Sequence, residues 1–393
     1  MTGPVAVYIH VPFCLSVCPY CDFVVYGGAA AKGPANRIAA TVDALATEIR
    51  LRAPNAPAEA LRSVYIGGGT PSLLSAGQLA SLLEAADGAF GISGGAEITL
   101  ECNPGPADRG DLVGFSAAGV NRLSIGAQSF DPAELQSLGR RHSPKDIAET
   151  LVAARSAGID NLSLDLLYDV PGQTLDSWRT TVAAAIATMP QHISAYSLTL
   201  DDPAGADHLP VSNGARRWRN RARFLQDDDR AADMYALADD LLTSAGYGWY
   251  EISNWAKPGR ASRHNLVYWN SEPWAAVGPG AHAFDGELTR SWNAARLDVY
   301  LAALVAGLPP GGDETVDRAT AESERAILQL RTAAGLPATQ AAKTEFRSAI
   351  AWGRASGLLE ASADGTVTLT RDGRLLSNEV FLRFLPAAAR HAA

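Results

Sequence analysis

The sequence predicts an α/β protein, an open, partial (β/α)6 TIM-like barrel followed by a smaller, mostly helical, winged-helix-like module. Two observations carry this. Between residues 5 and 200, six apolar runs of strand length alternate with amphipathic stretches of helix length. That order calls for right-handed crossovers and a parallel sheet. Near residue 314 the rhythm changes to closely spaced helical patterns ending in a short hairpin. Six βα units are too few to close an eight-stranded barrel, and a doubly wound open sheet is the competing arrangement.

In chain order, the strand candidates are 5–11, 63–68, 97–103, 122–128, 161–170 and 193–200, with helices at 38–51, 75–89, 145–157 and 174–188. Residues 201–230 break the pattern and, rich in Asp, Arg, Pro and Asn, read as a long loop. A helix over 231–245 follows, with Gly246 as its C-terminal cap. The stretch 247–292 is dense in Trp, Tyr, Gly and Asn, without a clear period. Helices at 319–331, 338–346 and 348–356 and a strand pair at 358–361 and 366–370, turning through Asp364-Gly365, complete the chain. We therefore expect a barrel over 1–235, an aromatic-rich connecting region over 236–312 and an accessory module over 313–393.

Charged residues make up 19% of the 393 positions, and the formal net charge is −9. That balance fits a folded protein and argues against a broadly basic nucleic-acid-binding face. It also favours a docking or structural role for the winged-helix-like module over DNA binding. No apolar run reaches the length of about 18 residues needed for a membrane helix. The first residues carry neither a basic segment nor an apolar h-region, so no signal peptide is expected and the location reads as cytoplasmic.

Three of the four cysteines fall within Cys14-Leu15-Ser16-Val17-Cys18-Pro19-Tyr20-Cys21, directly after the first strand candidate. In a reducing compartment, clustered thiols bind metal more often than they form disulfides. Structural zinc, with His10 as a fourth ligand, is one reading. Such sites are usually built from two paired knuckles, and here there is one. A C-x3-C-x2-C loop instead suits three corners of a [4Fe–4S] cluster, leaving one iron open to a small molecule. Cys102 lies apart and reads as a small buried hydrophobe.

The string Tyr8-Ile9-His10-Val11-Pro12-Phe13-Cys14, continued by Cys18-Pro19-Tyr20-Cys21-Asp22-Phe23, resembles the radical S-adenosylmethionine (SAM) superfamily. More narrowly, it is similar to the branch holding the oxygen-independent coproporphyrinogen III oxidases and the HemW-type haem (heme) chaperones. The resemblance implies that Cys14, Cys18 and Cys21 hold a [4Fe–4S] cluster. The open iron would be chelated by SAM's methionine part, and reductive cleavage would release a 5′-deoxyadenosyl radical. It further implies SAM contacts from Tyr8, Tyr20, Gly68, Gly69, Thr70, Glu101, Gln128, Arg140, Asp165 and Thr199. Several have a physical reason of their own. Gly67-Gly68-Gly69-Thr70-Pro71 ends the second strand, where glycines let backbone approach a ligand. Glu101 and Gln128 end the third and fourth strands. Asp165 interrupts an apolar strand and needs a partner, which a purely structural role would also supply.

Two departures separate the chain from the oxidases. Their motif extends to C-x3-C-x2-C-x-C, whereas the fourth position here is Phe23, and the first strand starts near residue 5, without their extension. His264-Asn265-Leu266-Val267-Tyr268-Trp269 resembles an HNxxYW motif associated with haem binding. His264 would then be a candidate iron ligand, with Asn265, Tyr268 and Trp269 around the macrocycle. An aromatic core with a hydrogen-bonded histidine is the alternative, and His282 is a second candidate ligand. The resemblance implies a haem chaperone without coproporphyrinogen oxidase activity, served by an electron donor and delivering haem to an acceptor such as a respiratory haem protein. A coproporphyrinogen III dehydrogenase is the competing function, and a zinc-stabilised α/β protein the third.

Overall fold

The computed structural model describes residues 3–53, 59–200, 213–307 and 311–386. The six expected strands lie side by side in chain order: β1 (Ala6–Val11), β2 (Leu61–Gly68), β3 (Ile92–Cys102), β4 (Arg122–Gln128), β5 (Asn161–Tyr168) and β6 (His192–Ser197). Every junction between them is parallel. A doubly wound sheet reverses its order at a switch point. This sheet has no reversal across β1–β6, so each crossover winds the same way, as a barrel requires.

The aromatic-rich stretch, for which the sequence suggested no elements, extends the sheet at both ends. β7 (Gly248–Glu251) and β8 (Asn254–Ala256) continue antiparallel beyond β6. On the other side β9 (Trp274–Val277) runs parallel to β1, followed by antiparallel β10 (His282–Phe284), β11 (Thr289–Trp292) and β12 (Gly312–Thr315). Strands of three or four residues are too short to show a period, which is why the sequence hid them. β7 and β12 stand at opposite ends of the sheet order, so the barrel stays open among the described residues.

The expected helices appear as Ile38–Leu51, Ala76–Phe90, Pro144–Ser156 and Leu175–Ala187. Ser75, Ser143 and Thr174 close capping boxes at three of their starts, each satisfying orphan N–H groups. Two six-residue helices, Leu112–Ala117 and Pro132–Ser137, were not foreseen. The crossover helices bury the outward face of each strand. On β4, Leu123, Ile125 and Ala127 join the main apolar core, while Arg122, Ser124 and Gly126 face inward. The same alternation gives Ser63 and Tyr65 on β2, Ser163 and Asp165 on β5, and His192 and Ser194 on β6. Parallel strands are commonly apolar on both faces; here the inner face is polar, and the site lies on it.

The loop expected over 201–230 needs correction. Residues 201–212 lie outside the described residues, but Asn213–Arg223 is a helix and the next, Asp228–Ser244, starts before residue 230. Charge was mistaken for irregularity: Arg and Ala are good helix formers, and Ala222 and Trp218 pack with Leu198 and Leu200. The last two β1–β6 strands also end early, which leaves Thr199 two residues past β6.

The C-terminal module has its own apolar cluster, from Ala326 and Leu330 to Val380 and Phe384. It contains helices Arg318–Leu330, Ala338–Ala341 and Arg347–Ala355, the hairpin Leu359–Ala361 and Val367–Leu369, and two further helices, Arg371–Leu375 and Ser377–Phe384. One of its ties to the barrel is a buried ion pair. Arg374 donates to both Asp239 oxygens at 3.1 and 2.7 Å, and Asp239 also accepts from Trp255 Nε1 at 2.8 Å. Burial raises the Asp239 pKa, but the Arg374 and Trp255 hydrogen bonds outweigh it and hold the carboxyl below 3.8. Its contribution is full above pH 3.8 and is lost as pH falls through the lower folded value. Asp239→Asn leaves Arg374 buried without a counter-charge, so we predict a loss of about 3 kcal/mol in chemical unfolding near neutrality. The gap between variant and wild type should shrink as the pH is taken below 3.8.

Candidate cofactor site at the strand ends

The cysteine loop leaves β1 and is pinned on both sides. Cys14 N donates to Tyr26 O at 3.0 Å, and Cys21 N donates to Cys18 O at 3.2 Å, closing a turn. On the other side, Arg219 reaches in from the helix Asn213–Arg223. It is 3% exposed and donates to Pro19 O at 2.9 Å and Cys21 O at 2.8 Å, while pairing with Asp22 at 2.5 Å. The three thiols are free and face a cavity of about 410 Å³ at the C-terminal ends of the strands.

A chain of hydrogen bonds spans the loop. Arg140 Nη1 donates to Cys18 Sγ at 3.6 Å and Arg140 Nη2 to Asn103 Oδ1 at 2.5 Å and Gly126 O at 2.8 Å. Asn103 Nδ2 donates to Thr70 Oγ1 at 2.9 Å, and Thr70 donates to Cys14 Sγ at 3.4 Å. Two thiols are thereby fixed relative to the ends of β2, β3 and β4. Asn103, two residues beyond Glu101, is not among the residues expected from the sequence; its place between Thr70 and Arg140 is what the structure adds.

The glycines at the cavity wall also meet a packing need. A Cβ on Gly69 would sit 2.6 Å from Phe13 O, and one on Gly68 (φ +114°) 2.5 Å from the His10 ring. They are required by the close approach of the β1 and β2 ends, and Gly68 N is already spent on Glu101 Oε2 at 2.8 Å. Glu101 also accepts from Tyr65 OH at 2.8 Å, and burial pushes its carboxyl up to about 7. Asp165 accepts from Ser124 Oγ at 3.0 Å, the partner that a buried carboxylate needs. Gln128 lines the cavity from a left-handed backbone (φ 66°) at the β4 end. Arg122, missed in the sequence, is 2% exposed at the cavity wall, and its Nε has no partner among the described residues.

The structure thus brings Cys14, Cys18, Cys21, Tyr20, Gly68, Gly69, Glu101, Gln128, Arg140, Asp165, Thr199 and Asn265 to one cavity. Tyr8 stands behind the wall, bonded to His10 Nδ1 at 2.9 Å. His10 Nε2 is bonded to Val24 O at 2.8 Å, so both ring nitrogens are used and no fourth ligand for zinc comes from it. Cys102 is 3% exposed and donates to Asn103 O at 3.3 Å, as a small buried side chain.

The HNxxYW residues separate. Their helix, Arg263–Trp269, packs inside the open barrel beneath the cavity, and Asn265 alone of them reaches the wall. His264 is 1% exposed, lies 5.1 Å from the Tyr65 ring, and has both nitrogens engaged, by Ser63 Oγ at 2.9 Å and Tyr268 OH at 2.7 Å. Burial and then the charge of Arg122 lower its pKa to about 3. In this arrangement it presents no free nitrogen to an iron, and the aromatic-core alternative describes its surroundings. Tyr268 stacks edge-on to Trp274 at 4.7 Å, and Arg331 covers Trp269 at 4.6 Å. His282 is exposed and stacked on Trp292 at 6.1 Å.

The radical SAM superfamily pattern matches residues 8–185. The fold of coproporphyrinogen III oxidase from Escherichia coli, described as a radical SAM enzyme, covers 98% of this chain and 90% of its own, with a TM-score of 0.81 at 22% identity. Residues 8–185 form a radical SAM domain. A heme chaperone HemW from Mycobacterium tuberculosis is 38% identical over 381 residues, 96% of this chain and 94% of that one. HemW of Bacillus subtilis is 32% identical over 386 residues, 96% of this chain and 98% of its own, and that of Escherichia coli 35% over 292 residues, 73% of each. The chain belongs to the HemW family.

The donor set fits the superfamily's cofactors. Three free thiols on one loop suit a [4Fe–4S] cluster, and carboxylate, amide and guanidinium groups around the same cavity suit an amino-acid sulfonium and a ribose. Among the described residues no three His, Cys, Asp or Glu side chains converge on a single metal-ion position. A cluster spreads its thiolates over separate irons, so this spacing counts against one zinc ion.

Glu101 offers a direct test. A carboxyl raised from 4.5 to about 7 in the folded state contributes stability below pH 4.5 that is lost as pH rises through 7. The apoprotein should therefore lose thermal stability between pH 5 and 8, and Glu101→Gln should flatten that slope in melting curves taken across the range.

Proposed function

We propose that this protein is a haem chaperone that holds a [4Fe–4S] cluster and SAM in the barrel and passes haem to an acceptor haem protein. In this reading Cys14, Cys18 and Cys21 ligate the cluster. Arg140 and Glu101 would hold the charged methionine part of SAM, with Gln128 and Asp165 available to the ribose and Tyr8, Tyr20, Gly68, Gly69, Thr70 and Thr199 shaping the site around them. When bound and reduced, the cluster supplies one electron to the SAM sulfonium. Arg140 keeps Cys18 oriented and puts a positive charge beside it; Thr70 and Asn103 do the same for Cys14 without charge.

The observation that carries the choice of chaperone over oxidase is Phe23. Where the oxidase motif places a fourth cysteine, this chain has a phenylalanine that is 65% exposed and lines the cavity mouth. The relatives named as heme chaperones, matched over nearly their whole length, support the same reading. An acceptor that is a respiratory haem protein, and a separate electron donor, complete the proposal. None of the helices among the described residues is long and apolar enough to cross a membrane.

Anaerobic reconstitution with iron and sulfide, followed by incubation with SAM, dithionite and coproporphyrinogen III, tests the assignment. The expected result is no protoporphyrinogen, together with saturable haem uptake and transfer to an apo-haem protein. Formation of protoporphyrinogen at turnover rates would move the function to oxidative decarboxylation.

A further inference from the structure

The helix Asn213–Arg223 carries five arginines in a chain whose net charge is −9. Two of them have defined partners: Arg219 clamps the cysteine loop, and Arg223 donates to Leu200 O at 2.8 Å. Arg216, Arg217 and Arg221 are exposed, and no acid pairs with them among the described residues. Exposed cations with no paired acid among the described residues favour an anionic ligand.

Its place in the fold is fixed. Arg219 ties the helix to Pro19, Cys21 and Asp22, and Trp218 lies 6.5 Å from the Tyr20 ring. The basic helix therefore flanks the cavity mouth on the side of the cysteine loop. That mouth is rimmed by two exposed apolar side chains, Val17 at 47% and Phe23 at 65%. Exposed apolar groups beside unpaired cations suit neither a simple inorganic anion nor a neutral lipid-like ligand. They suit a flat apolar molecule that carries carboxylates at one edge.

We propose that this rim and helix form an outer haem site, with the porphyrin face over Phe23 and Val17 and its two propionates paired with Arg216, Arg217 and Arg221. This rests on the haem-chaperone reading above and supplies what that reading lacked, since His264 is enclosed below the cavity. Cargo held at the mouth stays reachable by an acceptor, whereas cargo inside the barrel would have to pass the cysteine loop.

The test is haem titration of the full chain, wild type against the triple variant Arg216→Glu, Arg217→Glu, Arg221→Glu, at low and high salt, with haem dimethyl ester as the uncharged comparison. The exposed positions make misfolding easy to check, because circular dichroism and iron content should match wild type. We expect the variant to bind haem at least tenfold more weakly at low salt. Salt should weaken wild-type binding far more than the variant's, and the ester should bind both alike. Phe23→Ala should weaken haem and ester together. Unchanged haem affinity in the triple variant would overturn the proposal. So would a variant that keeps haem affinity but no longer delivers haem to an acidic acceptor, which would make the helix a protein-docking surface. A wild type that binds no haem at all would instead refute the chaperone reading on which the proposal rests.

Discussion

The hydrogen-bond chain from Cys18 through Arg140, Asn103 and Thr70 to Cys14 is the constraint on which the site depends. It converts a loop that has no regular structure of its own into a rigid presentation of thiols. Each member comes from a different strand end: Thr70 after β2, Asn103 after β3 and Arg140 beyond β4. Such a chain forms only if the strands keep their register, so the sheet's parallel pairing and the geometry of the cysteines are one problem. Arg219 completes it from outside by holding the loop's carbonyls.

That arrangement explains the two faces of the sheet. The outward residues of β1–β6 are aliphatic and bury against the crossover helices. The inward ones are hydroxyls, carboxylates, a guanidinium and imidazoles: Ser63, Ser124, Arg122, His192 and Ser194 are buried, and Tyr65, Glu101 and Asp165 are half-buried against the cavity. A polar inner face of this kind is tolerable only when its groups are satisfied. The helix Arg263–Trp269 supplies part of the satisfaction: His264 bonds Ser63 and Tyr268, and its backbone N–H meets Glu97 at 3.2 Å. The motif that the sequence associated with haem is thus also the plug of the barrel. Substitutions there would change stability and the cavity wall together.

Much of this was legible beforehand. The six strands and four main crossover helices stood out because each runs long enough to show a period. The cysteine spacing and the strand-end polar residues pointed to one cavity, and they meet there. What stayed hidden lacked a period or depended on distant partners. β7 to β12 are too short to read. The helix Asn213–Arg223 looked like a loop because its arginines outweighed its two apolar anchors. That both nitrogens of His264 are occupied follows from Ser63, some two hundred residues away, which no local pattern reveals. The packing need at Gly68 and Gly69 arises from the Phe13 and His10 contacts, which no local pattern discloses.

In the proposed function the cysteine loop is a three-thiolate site with one position kept open for SAM, and the cargo is haem. Electron paramagnetic resonance of the reduced, reconstituted protein reads that open position directly. Adding SAM should shift the cluster signal in the wild type, and methionine-labelled SAM should show coupling to the cluster. A signal that SAM leaves unchanged, or a protein that takes up zinc and no sulfide, would contradict the account.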